Sequence, residues 1–106
     1  MATWVPFHYR EFYDVPRMLV FEHQRQTYLL DCQFSQLLDE YSSLYDVLVL
    51  AVDSDGARRL RDWGELRGCA TRTLGQVAVR AVRFDPSVRR EVDVDSIVPI
   101  AEGWRA

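Results

Sequence analysis

The sequence predicts an α+β fold: one small domain over residues 1–106, with five to six mostly antiparallel strands and two short helices. The sheet is expected to bend strongly or close toward a barrel. Three observations carry this reading. Period-two alternation of apolar and polar residues recurs along the chain, as strands require. One such segment, "RMLVFEHQRQTYLLDC", folds back about Gln24 and Arg25 as a β-hairpin. Two other stretches, "SQLLDEY" and "SDGARRLRDWGELRG", place apolar residues at helical spacing.

The first element is "TWVPFHY", with Val5, Phe7 and Tyr9 on one side and Trp4, Pro6 and His8 on the other. It reads as a strand, and Pro6, which lacks an N–H, places it at a sheet edge. "REFYDV" is too short for a stable helix, and Pro16 biases Val15 toward extended geometry, so this segment is expected to be a connecting turn.

In the hairpin, Glu22 faces Thr27, Phe21 faces Tyr28 and Leu19 faces Leu30, whether the loop has two or four residues. Leu19, Phe21, Tyr28 and Leu30 then share one face. Met18, Val20, Glu22, Thr27, Leu29 and Asp31 make the other, expected to be half solvated. The turn holds neither Gly nor Asn, so a four-residue loop is expected over a tight one.

Ser35 can cap a short helix whose apolar face is Phe34, Leu37, Leu38 and Tyr41. "YDVLVLAVD" is apolar on both sides and reads as a central strand. The second helix is capped by Ser54 or Asp55, turns Ala57, Leu60 and Trp63 inward, spaces Arg58 to pair with Asp62, and ends at Gly64 or Gly68. "QVAVRAVRF" is another strand whose phase breaks, since Val77 and Val79 share one parity and Val82 and Phe84 the other. A β-bulge near Arg80, or cover on both faces, would reconcile them. "DPSV" turns the chain, and "RREVDVDSI" returns with Val92 and Val94 inward and its acids outward. The tail from about 99 to 106 is expected to fray unless Trp104 docks.

Composition bounds the function. Apolar content of 48% and charged content of 27% belong to an ordinary globular domain, well away from disorder. The longest apolar run, Val47 to Val52, is too short to cross a bilayer. "MATWVPFHYRE" lacks the basic leader and apolar core of a signal peptide, so a cytoplasmic location is expected. All thirteen basic residues are arginine, lysine and asparagine are absent, and isoleucine occurs at Ile97 and Ile100 alone. Their AT-rich codons point to a GC-rich, bacterial genome, so the arginines are not by themselves a recognition device. Net charge is −3 but uneven: residues 1–55 hold three Arg against nine acids, residues 56–106 ten Arg against seven acids. Pairing between the halves is the expected outcome, and an acidic, aromatic surface facing a polar partner the more functional one.

No motif carries chemistry. Cys32 and Cys69 read as reduced, buried small hydrophobes, and the hairpin puts Cys32 opposite Arg17, about 20 Å from His23. Two His and two Cys, widely scattered, lack zinc spacing. "DSDGARRLRDWGE" begins like a calcium loop, but its glycine comes early and Gly64 stands where a bidentate Glu belongs. The carboxylate pairs Asp39 with Glu40 and Asp93 with Asp95 read as solvated charge. No catalytic residue, metal ligand or cofactor is expected.

Two surfaces remain. Arg10, Phe12, Tyr13, Tyr41 and Tyr45 have the composition of a protein interface. Arg80, Arg83, Arg89 and Arg90 surround a turn and could contact an anion or nucleic acid, though the chain is acidic overall. The leading expectation is a non-catalytic bacterial protein-interaction module, comparable in size and charge to small adaptor, immunity or antitoxin proteins. Its partner is another protein or a second copy of the chain, with neither nucleic acid nor membrane expected. The alternatives are a small enzyme or ligand-binding domain assembled from dispersed residues such as His8, Cys69 and the arginines, and then a weak nucleic-acid binder.

Overall fold

Alternation of side chains in residues 18–31 produces the hairpin it predicts. In the computed structural model, which describes residues 2–13, 15–60, 63–86 and 90–103, β3 (Val15–His23) and β4 (Gln26–Asp31) pair antiparallel with Leu19 opposite Leu30, Phe21 opposite Tyr28 and Glu22 opposite Thr27. The turn corrects the expectation. His23 pairs with Gln26, so the loop has two residues, Gln24 and Arg25, at φ 50° and 66°. A two-residue loop matches the twist of its strands only with both residues left-handed. The paired ladder on each side imposes that conformation on side chains that disfavour it.

The remaining strands are β1 (Trp4–Pro6), β2 (His8–Tyr13), β5 (Phe34–Ser35), β6 (Glu40–Tyr41), β7 (Leu44–Leu50), β8 (Ala70–Ala78) and β9 (Glu91–Asp93). The helices are α1 (Ser54–Arg59) and α2 (Val98–Gly103), with single 3-10 stretches at Trp63–Cys69, Val79–Ala81 and Val94–Ser96. The main sheet has five antiparallel strands in the order β2-β3-β4-β7-β8, joined by two small sheets, β1 with β9 and β5 with β6. This is the small α+β domain that the sequence predicts.

Several elements differ in detail. The expected first strand divides at Phe7: β1 joins β9, while β2 becomes an edge of the main sheet. The expected connector "REFYDV" is instead strand through Tyr13, because Pro16 holds β3 extended and Phe12 pairs opposite it. Glu11, at φ 58°, breaks the alternation there. The valine-rich segment is an interior strand, as read from its two apolar faces.

Both faces of the sheet are covered, so the second face of the hairpin is not half solvated. Leu19, Phe21, Tyr28, Leu30, Tyr45 and Val47 meet Val92, Val94, Ile97 and Ile100 on one side. On the other, Met18, Val20, Leu29, Leu48 and Leu50 meet Ala57, Trp63 and Leu66. Burying either set stabilises by roughly 1.5–3 kcal/mol per large side chain, and two apolar layers explain why β7 shows no polar face.

Asp53, not Ser54 or Asp55, caps α1: its carboxylate accepts the Gly56 N–H at 2.6 Å. Asp62, expected to pair with Arg58, lies outside the described residues, and Arg58 reaches Asp55 at 3.5 Å. β8 starts six residues before the expected strand and ends at Ala78. The phase break at Arg80 is therefore a strand end followed by a 3-10 turn. Irregularity falls earlier, where register shifts skip Leu74 and Thr71 opposite β7. Gly75, at φ 137°, supplies the conformation that the first shift needs. Such shifts bend an edge strand.

Asp93 overturns the expectation that the acids of β9 point outward. It is wholly buried, its carboxylate accepting the Thr3 N–H at 2.9 Å, the Asp95 N–H at 3.1 Å and the Arg83 Nε at 2.9 Å. Asp95 alone is exposed, as expected. Trp104 lies outside the described residues; Ile97 and the helical Ile100 before it are buried.

Candidate functional site

The apolar spacing of Phe34, Leu37, Leu38 and Tyr41 does not make a helix. β5 and β6 close a four-residue loop, with Asp39 at φ 52° and Ser35 Oγ accepting the Leu38 N–H at 3.2 Å. A serine hydroxyl that satisfies a backbone donor three residues on can serve a turn as readily as a helix start. The consequence is exposure. Leu37 is 94% and Leu38 66% exposed, and Phe34 is nearly half exposed with its ring 5.0 Å from Tyr41, edge to face. Asp39 and Glu40 flank them in water.

Behind this tip lies an open cleft of about 1270 Å³, bounded by Val15, Arg17, Tyr41 and Arg80 among others. Its floor is well tied. The Arg17 guanidinium lies 4.5 Å from the Tyr41 ring and donates to Cys32 Sγ at 3.4 Å, while the Cys32 thiol donates to the Ser42 carbonyl oxygen at 3.0 Å. Tyr45 is inside the core, its hydroxyl donating to the Pro16 carbonyl oxygen at 2.6 Å. Burial pushes its phenol far above the usual range, with the neighbouring Cys32 adding to the rise and Arg17 opposing it.

The five residues expected to form an interface are thus dispersed. Tyr45 is buried and leaves the set. Tyr41 is half buried beneath Arg17, and the Tyr13 side chain lies outside what is described. Phe12 is exposed and meets Tyr9 edge to face at 5.7 Å. Arg10 donates to the Leu60 carbonyl oxygen at 2.8 Å and lies over the Trp63 ring at 4.9 Å, so it joins β2 to the α1 side of the sheet.

The arginine cluster divides as well. Arg83 is committed to Asp93, and Arg80 lines the large cleft. Arg89 lies outside the described residues. Arg90 lines a second cleft with His8, Arg10 and Arg58. The sequence alone joins His8 to the arginine cluster only as an alternative, with Cys69, and does not bring Arg10 or Arg58 to it, since those residues are far apart in the chain.

Cys32 is buried and Cys69 half buried, both free. His8 pairs opposite Val20, three residues along β3 from Arg17 and thus about 10 Å away from the Cys32 end. Cys69 does not line the cleft that holds His8. Thiol and imidazole therefore do not converge, and among the described residues no group of His, Cys, Asp and Glu could hold a metal ion.

Long-range pairing between the charge halves is realised at a clamp centred on Arg67. Arg67 donates to Asp31 through Nε and to Asp46 through Nη2, each at 2.6 Å, and Gln76 donates to Asp46 at 2.8 Å. Burial pushes the Asp46 carboxyl up, but the bonds from Gln76 and Arg67 and the charge of Arg67 outweigh it and hold the group below the usual range. At Asp93 the same contest ends the same way: burial opposes, and bonds from Thr3, Arg83 and Asp95 prevail.

Compared with known proteins, the chain matches no family model, no curated protein and no solved structure. No helix among the described residues is long and apolar enough to cross a membrane.

Proposed function

We propose that this chain is a non-catalytic bacterial protein-interaction module, working in the cytoplasm, that presents its 34–41 hairpin to a basic protein. The observation that carries the reading is Leu37, 94% exposed beside an exposed Leu38, whereas every other leucine of the chain is buried or partly buried. An apolar tip with a charged rim is how interfaces combine contact area with steering. The rim here is Asp39 and Glu40, within a half of the chain that carries three Arg against nine acids. That charge argues for a basic partner over a second acidic copy.

A photo-crosslinker placed at position 37 tests the reading in cells of the source organism. The expected product joins the chain to a basic protein, is lost in Leu37→Ser/Leu38→Ser, and weakens in Asp39→Lys/Glu40→Lys. Crosslinks to a second copy, to an acidic protein or to nothing would overturn it.

A further inference from the structure

The second cleft, about 490 Å³, gathers positive charge from three separate segments. Arg10 comes from β2, Arg58 from the last turn of α1, and Arg90 from the residue before β9. His8 joins them, and Tyr9 and Trp63 supply aromatic walls. Among the described residues no carboxylate lines this cleft, although acids outnumber bases in the chain.

Backbone contacts fix the arrangement. Arg10 bonds the Leu60 carbonyl oxygen at 2.8 Å and that of Arg58 at 3.5 Å, which ties the end of α1 to β2. The Phe7 N–H donates to the Arg90 carbonyl oxygen at 3.1 Å, which sets Arg90 beside His8. Asp55 pairs with Arg58 at 3.5 Å, but both side chains are more than half in water. Such a pair contributes about 0–1 kcal/mol and exchanges readily for a stronger anion.

We infer that this cleft binds a phosphate-bearing anion. Guanidinium forks match phosphate geometry, and a phosphate monoester carries roughly −1.5 to −2 charge against which several arginines can act together. The volume suits a small ligand. Tyr9, half exposed, offers a face on which a base could stack. The inference does not rest on the hairpin reading, since it uses none of the same residues.

Two-dimensional amide NMR at constant ionic strength tests it, with inorganic phosphate in one titration and adenosine monophosphate in another. Saturable shifts are expected at residues 7–10, Arg58, Arg90 and the Trp63 indole. Tighter binding of the nucleotide assigns the source as a nucleotide, and equal binding assigns it as phosphate alone. Arg58→Glu and Arg90→Glu should each weaken binding about tenfold, as loss of one charge-assisted bond implies. Arg80→Glu, the same charge change in the other cleft, and Leu37→Ser/Leu38→Ser should leave it unaltered. Absence of saturation with both ligands, or an equal loss from Arg80→Glu, would overturn the inference.

Discussion

Replacing Asp93 with alanine tests the link between the chain's N-terminal strand and its C-terminal layer. The buried carboxylate accepts two backbone N–H groups, from Thr3 and Asp95, and the guanidinium of Arg83. Hydrogen bonds to a charged group contribute about 1.5–3 kcal/mol each. The Arg83 side chain is 63% exposed, which reduces its share to about 0–1 kcal/mol. The Thr3 end also regains some water when the acceptor is lost. The loss expected for Asp93→Ala is therefore about 3 kcal/mol, or a fall in Tm of about 15 °C for a domain of this size. Asp95→Ala removes one exposed bond from Thr3 Oγ1 at 2.9 Å and should cost about 0.5 kcal/mol or less.

Urea unfolding at several pH values is the assay. Asp93 is held below the usual carboxylate range in the folded state. Its contribution is thus fully present above the unfolded value, about 3.9, and is lost as pH falls through the lower folded value. The deficit of Asp93→Ala should shrink as the pH is lowered, with Asp46 adding an acid-side loss of the same sign to both proteins. Equal deficits in the two alanine variants, or an Asp93→Ala deficit unchanged down to strongly acid pH, would refute the reasoning.

Tyr45→Phe should lose about 1–2 kcal/mol in denaturant, because it leaves the buried Pro16 carbonyl oxygen without its donor. Because burial raises the Tyr45 phenol, its contribution should be full below about pH 10 and be lost as pH rises further, and the variant should lose less stability there. Replacing Gln24-Arg25 by Asn-Gly should stabilise by about 1 kcal/mol, read as a higher urea midpoint, because both residues hold positive φ.

Much of the sheet was legible in the sequence, and much of the site was not. Alternation along residues 18–31 fixed the pairings of β3 and β4, and the doubly apolar run at 45–50 fixed an interior strand. These follow from period-two burial, which neighbouring residues report among themselves. The same local signals failed at 34–41, where helical spacing and a Ser cap fit a loop equally well. They failed again at Asp93 and Asp95, which look alike in "DVD" but differ completely once Thr3 and Arg83 arrive.

The sequence by itself determined that the chain makes antiparallel ribbons with an acidic, aromatic first half and a basic second half. Only the tertiary structure decided which charges are consumed and which remain on the surface. Arg67 is spent on Asp31 and Asp46 and Arg83 on the buried Asp93, while Arg90 meets Arg10, Arg58 and His8 in a cleft that no carboxylate lines among the described residues. The reason is physical: the periodicity of a strand is a local property, whereas the neighbour of a charged side chain is set by segments that return from tens of residues away.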